Sequence, residues 1–240
     1  MSLAPKSGMV LAAGLGLRLR PITDRLPKPL VTLSGRALLD HAIDRLETVG
    51  VERVVVNAHY KAEMIEQHLA PRHAPAITVL REAALLETGG GVFAALPLLD
   101  DVFYAVNSDI YWLDGKIPAL ARLARAFDDA RHDALLLVQR TTSAVGYDGP
   151  GDFIVDAMGG LRRRGEREIA PHLFAGVQLL SKRLFAGCAP GKFSLNPLYD
   201  RAIAAGRLGA IIHDGEWYHI GTPQGLARAE ERLATHRTER

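Results

Sequence analysis

The sequence predicts an α/β protein in which a mostly parallel sheet lies between layers of helices. Three observations carry that expectation. Short apolar runs alternate with amphipathic stretches through residue 140. Runs such as RVVVN and ALLLVQ are apolar without alternation, the pattern of strands covered on both faces. The chain, 240 residues and 48% hydrophobic, is long enough to bury a substantial core.

Taken in order, Met9–Leu11 reads as the first strand, followed by a glycine-rich loop. Residues 37–49 carry a helical pattern closed by Gly50, and Arg53–Asn57 returns as a strand. A helix over 61–69, a strand over 76–80, a helix over 91–99 and a strand over 102–109 continue the alternation. A helix over 117–127 and a buried strand over 134–139 complete it. Beyond this the pattern is less regular. GDFIVD, LRRRG and HLFAGVQLL read as strands joined by tight turns, and residues 196–205 as a helix. Thr222 is a candidate N-cap and Pro223 a natural first helical residue for a closing helix over 224–234, with Arg237 to Arg240 expected to fray. No repeat, low-complexity tract or linker divides the chain, so residues 1–240 are expected to form a single domain.

Charge and composition exclude several functions. Twenty-nine basic and 27 acidic residues leave a net charge of +2, too little for a global field that would recruit nucleic acid or a membrane surface. No apolar run reaches the ~20 residues of a membrane span. The opening MSLAPKSG has no signal-peptide core, and a single cysteine, Cys188, allows no intrachain disulfide. The expected compartment is the cytoplasm. Nothing in the sequence speaks to oligomeric state.

The stretch LAAGLGLRLRPITDRLPKPL, Leu11 to Leu30, packs glycines, prolines and cations directly after the first strand. Gly14 and Gly16 let the backbone turn its N–H groups toward an anion, and Arg18 and Lys28 supply charge. Leu19 breaks the dinucleotide fingerprint, and no G-K-[ST] follows, so two common nucleotide folds are disfavoured. A turn with solvated cations and an anion cradle both remain open from these residues alone. Asn107-Ser108-Asp109 ends an apolar strand, placing Asp109 at the carboxyl edge of the sheet, where it serves either as a turn former or as an anchor for Mg²⁺.

The Leu11–Leu30 string resembles, almost residue for residue, the N-terminal signature of the sugar-1-phosphate nucleotidyltransferases. That resemblance implies a nucleotide-diphospho-sugar transferase fold, a single Rossmann-like mixed and mostly parallel sheet flanked by helices. Residues 1–140 would form mainly its nucleotide-binding half and 141–236 mainly its sugar-binding half. The implied substrates are a nucleoside triphosphate and a sugar 1-phosphate, with Mg²⁺ as cofactor. Ala12, Ala13, Gly14 and Gly16 would wrap the triphosphate. Arg18 would meet the leaving pyrophosphate, Lys28 the phosphate at the reacting centre, and Asp109 the metal. Pro27 and Pro29 would hold Lys28 in an extended segment.

The segment EAALLETGGG, Glu82 to Gly91, matches the family region that reads the base and touches the sugar. Glu82 is the candidate acceptor for a base N–H, with Gly89 or Gly90 giving the base plane room. A carboxylate suits uracil N3–H and also the donors of guanine, so it leaves the base open. The family's second metal-binding aspartate lies in a W-x-D-x-G-T element; here the element reads Trp217-Tyr218-His219-Ile220-Gly221-Thr222, with His219 in the aspartate's place. Structural and metal-proximal roles for His219 both stand.

Within the family, LETGGGVFAALPLL, VNSDIYW and GPGDF make nearly the whole chain similar to the bacterial N-acetylmuramate-1-phosphate uridylyltransferases of cell-wall recycling; the short mannose-1-phosphate guanylyltransferases are the alternative. The resemblance points to Asn107 and Asp152 as sugar contacts. Arg162, Arg163, Arg164 and Arg167 form either a site for a lactyl carboxylate or a solvated basic hairpin. A nucleotide-sugar-binding regulatory subunit is the alternative from another class, and the retention of both Arg18 and Lys28 argues against it.

Overall fold

The computed structural model describes residues 5–238. Strand β1 (Ser7–Leu11) enters the glycine-rich loop, which continues into a short helix, α1 (Ile22–Arg25). A small hairpin, β2 (Thr32–Leu33) and β3 (Arg36–Ala37), leads to α2 (Leu38–Thr48). Then follow β4 (Arg53–Ala58), α3 (Ala62–Leu69), β5 (Ala76–Arg81), α4 (Glu87–Ala95) and β6 (Val102–Asn107). Next come β7 (Ile110–Leu113), α5 (Ala119–Ala126), β8 (Ala134–Arg140) and β9 (Ala144–Val145). The remaining elements are β10 (Phe153–Val155), β11 (Leu161–Arg163), β12 (His172–Ser181), α6 (Asn196–Ala204), β13 (Leu208–Ile212), β14 (Glu216–His219) and α7 (Pro223–Thr238).

One nine-stranded sheet organises these elements. β5, β4, β1 and β6 pair in parallel, in that order. The long β12 then runs antiparallel between β6 and β8, and β13 adds parallel to β8. β12 is therefore the single reversal in this row, while β10 and β11 hang from its first residue. The apolar strands bury both faces, and the pleat sorts their side chains. Val10, Val54, Val56, Tyr104 and Val106 pack with α2, α3 and α5 on one side. Met9, Val55, Phe103 and Ala105 pack with α4 and α6 on the other. In α2 the buried residues Leu39, Ala42, Ile43 and Leu46 recur at helical spacing, which fixes the face it presents to the sheet.

Several boundaries differ from the sequence reading. The strand expected through Asp109 stops at Asn107, because both the N–H and the hydroxyl of Ser108 donate to Leu11 O, at 3.1 and 2.8 Å, and turn the chain. The helix expected over 91–99 starts earlier, at Glu87, and gives way to a 3-10 turn over Leu96–Leu98, where Pro97 has no N–H to continue it. A separate three-stranded sheet, β7-β14-β9, was not legible in the pattern. Thr222 does cap the closing helix, its hydroxyl accepting from Gly225 N at 3.0 Å. That helix extends beyond the expected 224–234, through Thr238; Glu239 and Arg240, the last two of the four residues expected to fray, lie outside the described residues.

Candidate active site

Brought together at the carboxyl ends of β1, β4, β5 and β6 is a cavity of about 530 Å³. Its floor is the loop after β1. Gly16 adopts φ +66°, a left-handed conformation, and a Cβ there would lie 2.9 Å from Thr23 Cγ2 and 3.0 Å from Lys28 Cβ. Only glycine fits both demands. Thr23 Oγ1 donates to Gly16 O at 2.9 Å and tethers the loop from the far side. Among the described residues the N–H groups of Gly14, Leu15 and Gly16 have no protein acceptor. A row of free amides on a glycine-containing turn is an anion receptor.

Two cations flank this floor. Arg18 is exposed and has no ion-pair partner among the described residues. Lys28, 8% exposed, follows the extended Pro27 (φ −68°, ψ 147°) and opens a 3-10 turn over Lys28–Leu30, not the extended segment expected of the two prolines; from that turn its Nζ lies 2.9 Å from Asp109 Oδ2. Burial pushes the Asp109 carboxyl up, but the adjacent Lys28 ammonium, followed by His219 and Arg18, outweighs it and holds the carboxyl below its usual range. Asp109 is therefore a carboxylate at neutral pH.

β14 aligns His219 with Ile110, beside Asp109, and Asp109 O accepts from Ile220 N at 2.9 Å. The imidazole lies nearly parallel to Trp217, with ring centroids 6.1 Å apart, and the missing side chain of Gly221 makes room for it. Burial drives the His219 pKa down; Asp109 opposes this and Lys28 and Arg18 reinforce it, so the ring is neutral at pH 7. Gly221 lines the cavity and His219 does not. Among the described residues no cluster of three ligating side chains could cage a metal. The Asp109 carboxylate is the kind of oxygen ligand that a hard, partly hydrated cation such as Mg²⁺ would take together with phosphate oxygens, whereas the neutral His219 imidazole is a softer donor that Mg²⁺ does not favour.

The other expected site residues are distributed unevenly. Ala12, Ala13, Gly14, Gly16, Arg18, Lys28, Glu82, Asn107 and Asp109 all line the cavity. Glu82 does not present a free carboxylate: Oε1 accepts from Asn57 Nδ2 at 2.6 Å and Oε2 from Leu86 N at 3.1 Å. Gly89 and Gly90 lie off the cavity, inside α4. Their N–H groups both donate to Phe193 O at 2.9 Å, and a Cβ on Gly89 would strike Phe193 and one on Gly90 the Gly191 carbonyl. They are glycines for the docking of that segment rather than for a base plane. Asp152 is also off the cavity, its Oδ2 accepting from Phe174 N at 2.8 Å.

The arginine cluster likewise lies off the cavity. Arg162 forms a two-pronged pair with Glu168 at 2.7 and 2.8 Å, Arg163 pairs with Asp200 and lies over Phe153, and Arg164 donates to the carbonyls of Gly165 and Glu166. Two of the four arginines are thus matched by carboxylates, Arg164 meets only neutral carbonyls and Arg167 is exposed, so of the two readings left open the solvated basic hairpin is the one this arrangement favours. Asn57, in contrast, was missed. It lines the cavity and its Oδ1 accepts from Ala12 N at 2.9 Å.

Free loop amides, two cations and a carboxylate at the carboxyl edge of a mostly parallel sheet define a class: an α/β enzyme that handles a polyphosphate. A sequence model described as the MobA-like NTP transferase domain matches residues 8–220. The chain is 43% identical to the N-acetylmuramate alpha-1-phosphate uridylyltransferase of Caulobacter vibrioides, over 98% of this chain and 99% of that protein. It is 30% identical to the protein of the same name from Neisseria meningitidis serogroup B, over 92% and 96% of the two chains. The inositol-1-phosphate CTP transferase of T. maritima superposes with a TM-score of 0.77 over 96% of this chain and 98% of that one, at 19% identity, and shares the fold. The chain belongs to the MobA-like NTP transferase family and, within it, to the sugar-1-phosphate nucleotidyltransferases.

Proposed function

We propose that this enzyme joins UTP and N-acetylmuramate 1-phosphate into UDP-N-acetylmuramate and pyrophosphate, in the cytoplasm, as a step of cell-wall recycling. A phosphate oxygen of the sugar attacks the α-phosphorus in line; the new P–O bond forms as the bond to the β-phosphate bridge breaks, and pyrophosphate leaves with that electron pair. The nucleophile is already anionic near neutral pH, so no general base is required. What the protein supplies is alignment and charge neutralisation.

In this reading the free amides of Gly14, Leu15 and Gly16 hold the triphosphate, and Arg18 meets the departing pyrophosphate. Lys28 neutralises charge at the α-phosphate and Asn107 orients the sugar phosphate. Asp109, with His219 near it, would hold Mg²⁺, which when bound offsets triphosphate charge. The observation that carries the proposal is the Lys28–Asp109 pair, 2.9 Å apart, beside the open amides of the loop. The full-length likeness to the Caulobacter enzyme selects the substrates. The test is a mass-resolved incubation with UTP, N-acetylmuramate 1-phosphate and Mg²⁺. UDP-sugar and pyrophosphate are expected in equal amounts, with neither formed when one substrate is omitted; hydrolysis of UTP alone at a comparable rate would defeat the proposal.

A further inference from the structure

The loop after β1 is gripped at one peptide by a side chain that stands outside the cavity. The carbonyl of Gly16 accepts from Thr23 Oγ1 at 2.9 Å and from Leu19 N, also at 2.9 Å. Gly16 and Leu17 line the cavity, whereas Thr23, 2% exposed, does not. The methyl of the threonine faces the same glycine: a Cβ on Gly16 would lie 2.9 Å from Thr23 Cγ2. Thr23 is itself fixed from the turn between β4 and α3, where Tyr60 OH donates to Thr23 O at 3.0 Å and Lys61 Nζ to Asp24 O at 2.7 Å. The reaction as proposed gives this threonine no task.

A peptide unit is planar and trans, so its C=O and its N–H point in opposite directions. With the Gly16 carbonyl drawn to Thr23, the N–H of the same unit, that of Leu17, is turned the other way, and among the described residues it has no protein acceptor. Donors on a carbonyl also polarise the N–H across the peptide bond, which strengthens that N–H toward an anion. The residue type meets both demands. Serine would donate but leave the space beside Gly16 unfilled, valine would fill it but donate nothing, and threonine does both.

We infer that Thr23 is a positioning residue: its hydroxyl sets the Gly16–Leu17 peptide so that the Leu17 N–H joins those of Gly14, Leu15 and Gly16 in facing the triphosphate. The threonine touches no ligand and acts through that peptide. A glycine peptide left untethered would sample other orientations, and binding would bear the cost of ordering it. The inference rests on the cavity being the polyphosphate site, and not on which base or sugar the enzyme takes.

The test compares Thr23→Val, which keeps the shape and loses the hydroxyl, with Thr23→Ser, which keeps the hydroxyl and loses the methyl. Inorganic tripolyphosphate with Mg²⁺ is the binding probe. Thr23→Val is expected to weaken tripolyphosphate binding and to raise KM for UTP, each about five- to tenfold, with KM for the sugar 1-phosphate unchanged. Thr23→Ser is expected to stay within about twofold of wild type on all three. In NMR spectra the Leu17 amide proton should move downfield on addition of tripolyphosphate in wild type and Thr23→Ser, and move less in Thr23→Val.

A packing role predicts the opposite order, with Thr23→Ser impaired and Thr23→Val near wild type, because only the serine leaves a void. That order overturns the inference, as do equal losses in the two variants, wild-type behaviour in both, or an equal rise in KM for both substrates. Melting curves report whether each variant folds. Should Thr23→Val fail to fold, Thr23→Ala against Thr23→Ser makes the same comparison, since both lack the methyl and differ only in the hydroxyl. A wild type that binds tripolyphosphate, with this pattern among the variants, but forms no UDP-sugar removes the proposed substrates and upholds the positioning role; a wild type that binds no tripolyphosphate overturns it.

Discussion

Lys28 and Asp109 come from segments 81 residues apart and meet at 2.9 Å in a partly buried pair. Each holds the other in place, and in the proposed reaction the ammonium so fixed would meet the charge that grows as pyrophosphate departs. Lys28→Ala is expected to lower kcat by roughly a hundredfold or more and to weaken UTP binding far less, as separate titration and turnover measurements would show; normal turnover at saturating UTP would make Lys28 a binding residue only. His219 is the second test at this scale. If the neutral ring lies beside the cation, His219→Asp restores an oxygen ligand and lowers the Mg²⁺ concentration for half-maximal rate. If the ring instead donates to an anion, the same change reduces the rate at every Mg²⁺ concentration, and curves superimposable with wild type and His219→Ala would make it purely structural. These residues were legible because each sits in a dense local motif. Asn57 was not, since its hydrogen-bond partners Ala12 and Glu82 lie 45 and 25 residues away and only the sheet brings them together.

The elements that support the site differ in how openly they declare themselves. β1, β4, β6 and β8 were legible because strands covered on both faces are uninterrupted apolar runs. β7, β9 and β14 escaped because they are short and their pairing depends on distant chain segments. The glycine triplet of α4 was read as space for a ligand, whereas Gly89 and Gly90 make space for the segment at Gly191 to Phe193, a packing reason with the same sequence signature. β12 offers a prediction. Its pairing with β8 shifts between Phe174 and Gln178, and within that bulge Gly176 has φ +76° and faces Asn107, so an added Cβ would lie 3.2 Å from the Asn107 Cβ and Nδ2. Gly176→Ala is expected to cost about 1–2 kcal/mol, lowering Tm by roughly 2–8 °C, and to raise KM for the sugar 1-phosphate more than KM for UTP. An unchanged sugar KM would separate Asn107 from the sugar side of the site.

At the scale of the molecule, one sheet runs without a break from the nucleotide side at β5 to β13, and the two apolar layers follow it. No helix among the described residues is long and apolar enough to cross a membrane. The continuity leads us to expect a single cooperative unfolding transition, coincident by far-UV and tryptophan signals, with Trp112 and Trp217 both buried reporters; two separated transitions would divide the chain. UTP with Mg²⁺ at about a hundred times its dissociation constant should add about 2.7 kcal/mol of apparent stability and raise Tm accordingly. The most direct measurement is kcat/KM from pyrophosphate release, with UTP, GTP, CTP and ATP each paired with N-acetylmuramate, N-acetylglucosamine and mannose 1-phosphates. UTP with N-acetylmuramate 1-phosphate is predicted to exceed every other pair. A higher value for GTP with mannose 1-phosphate, or no pyrophosphate from any pair, would contradict the account.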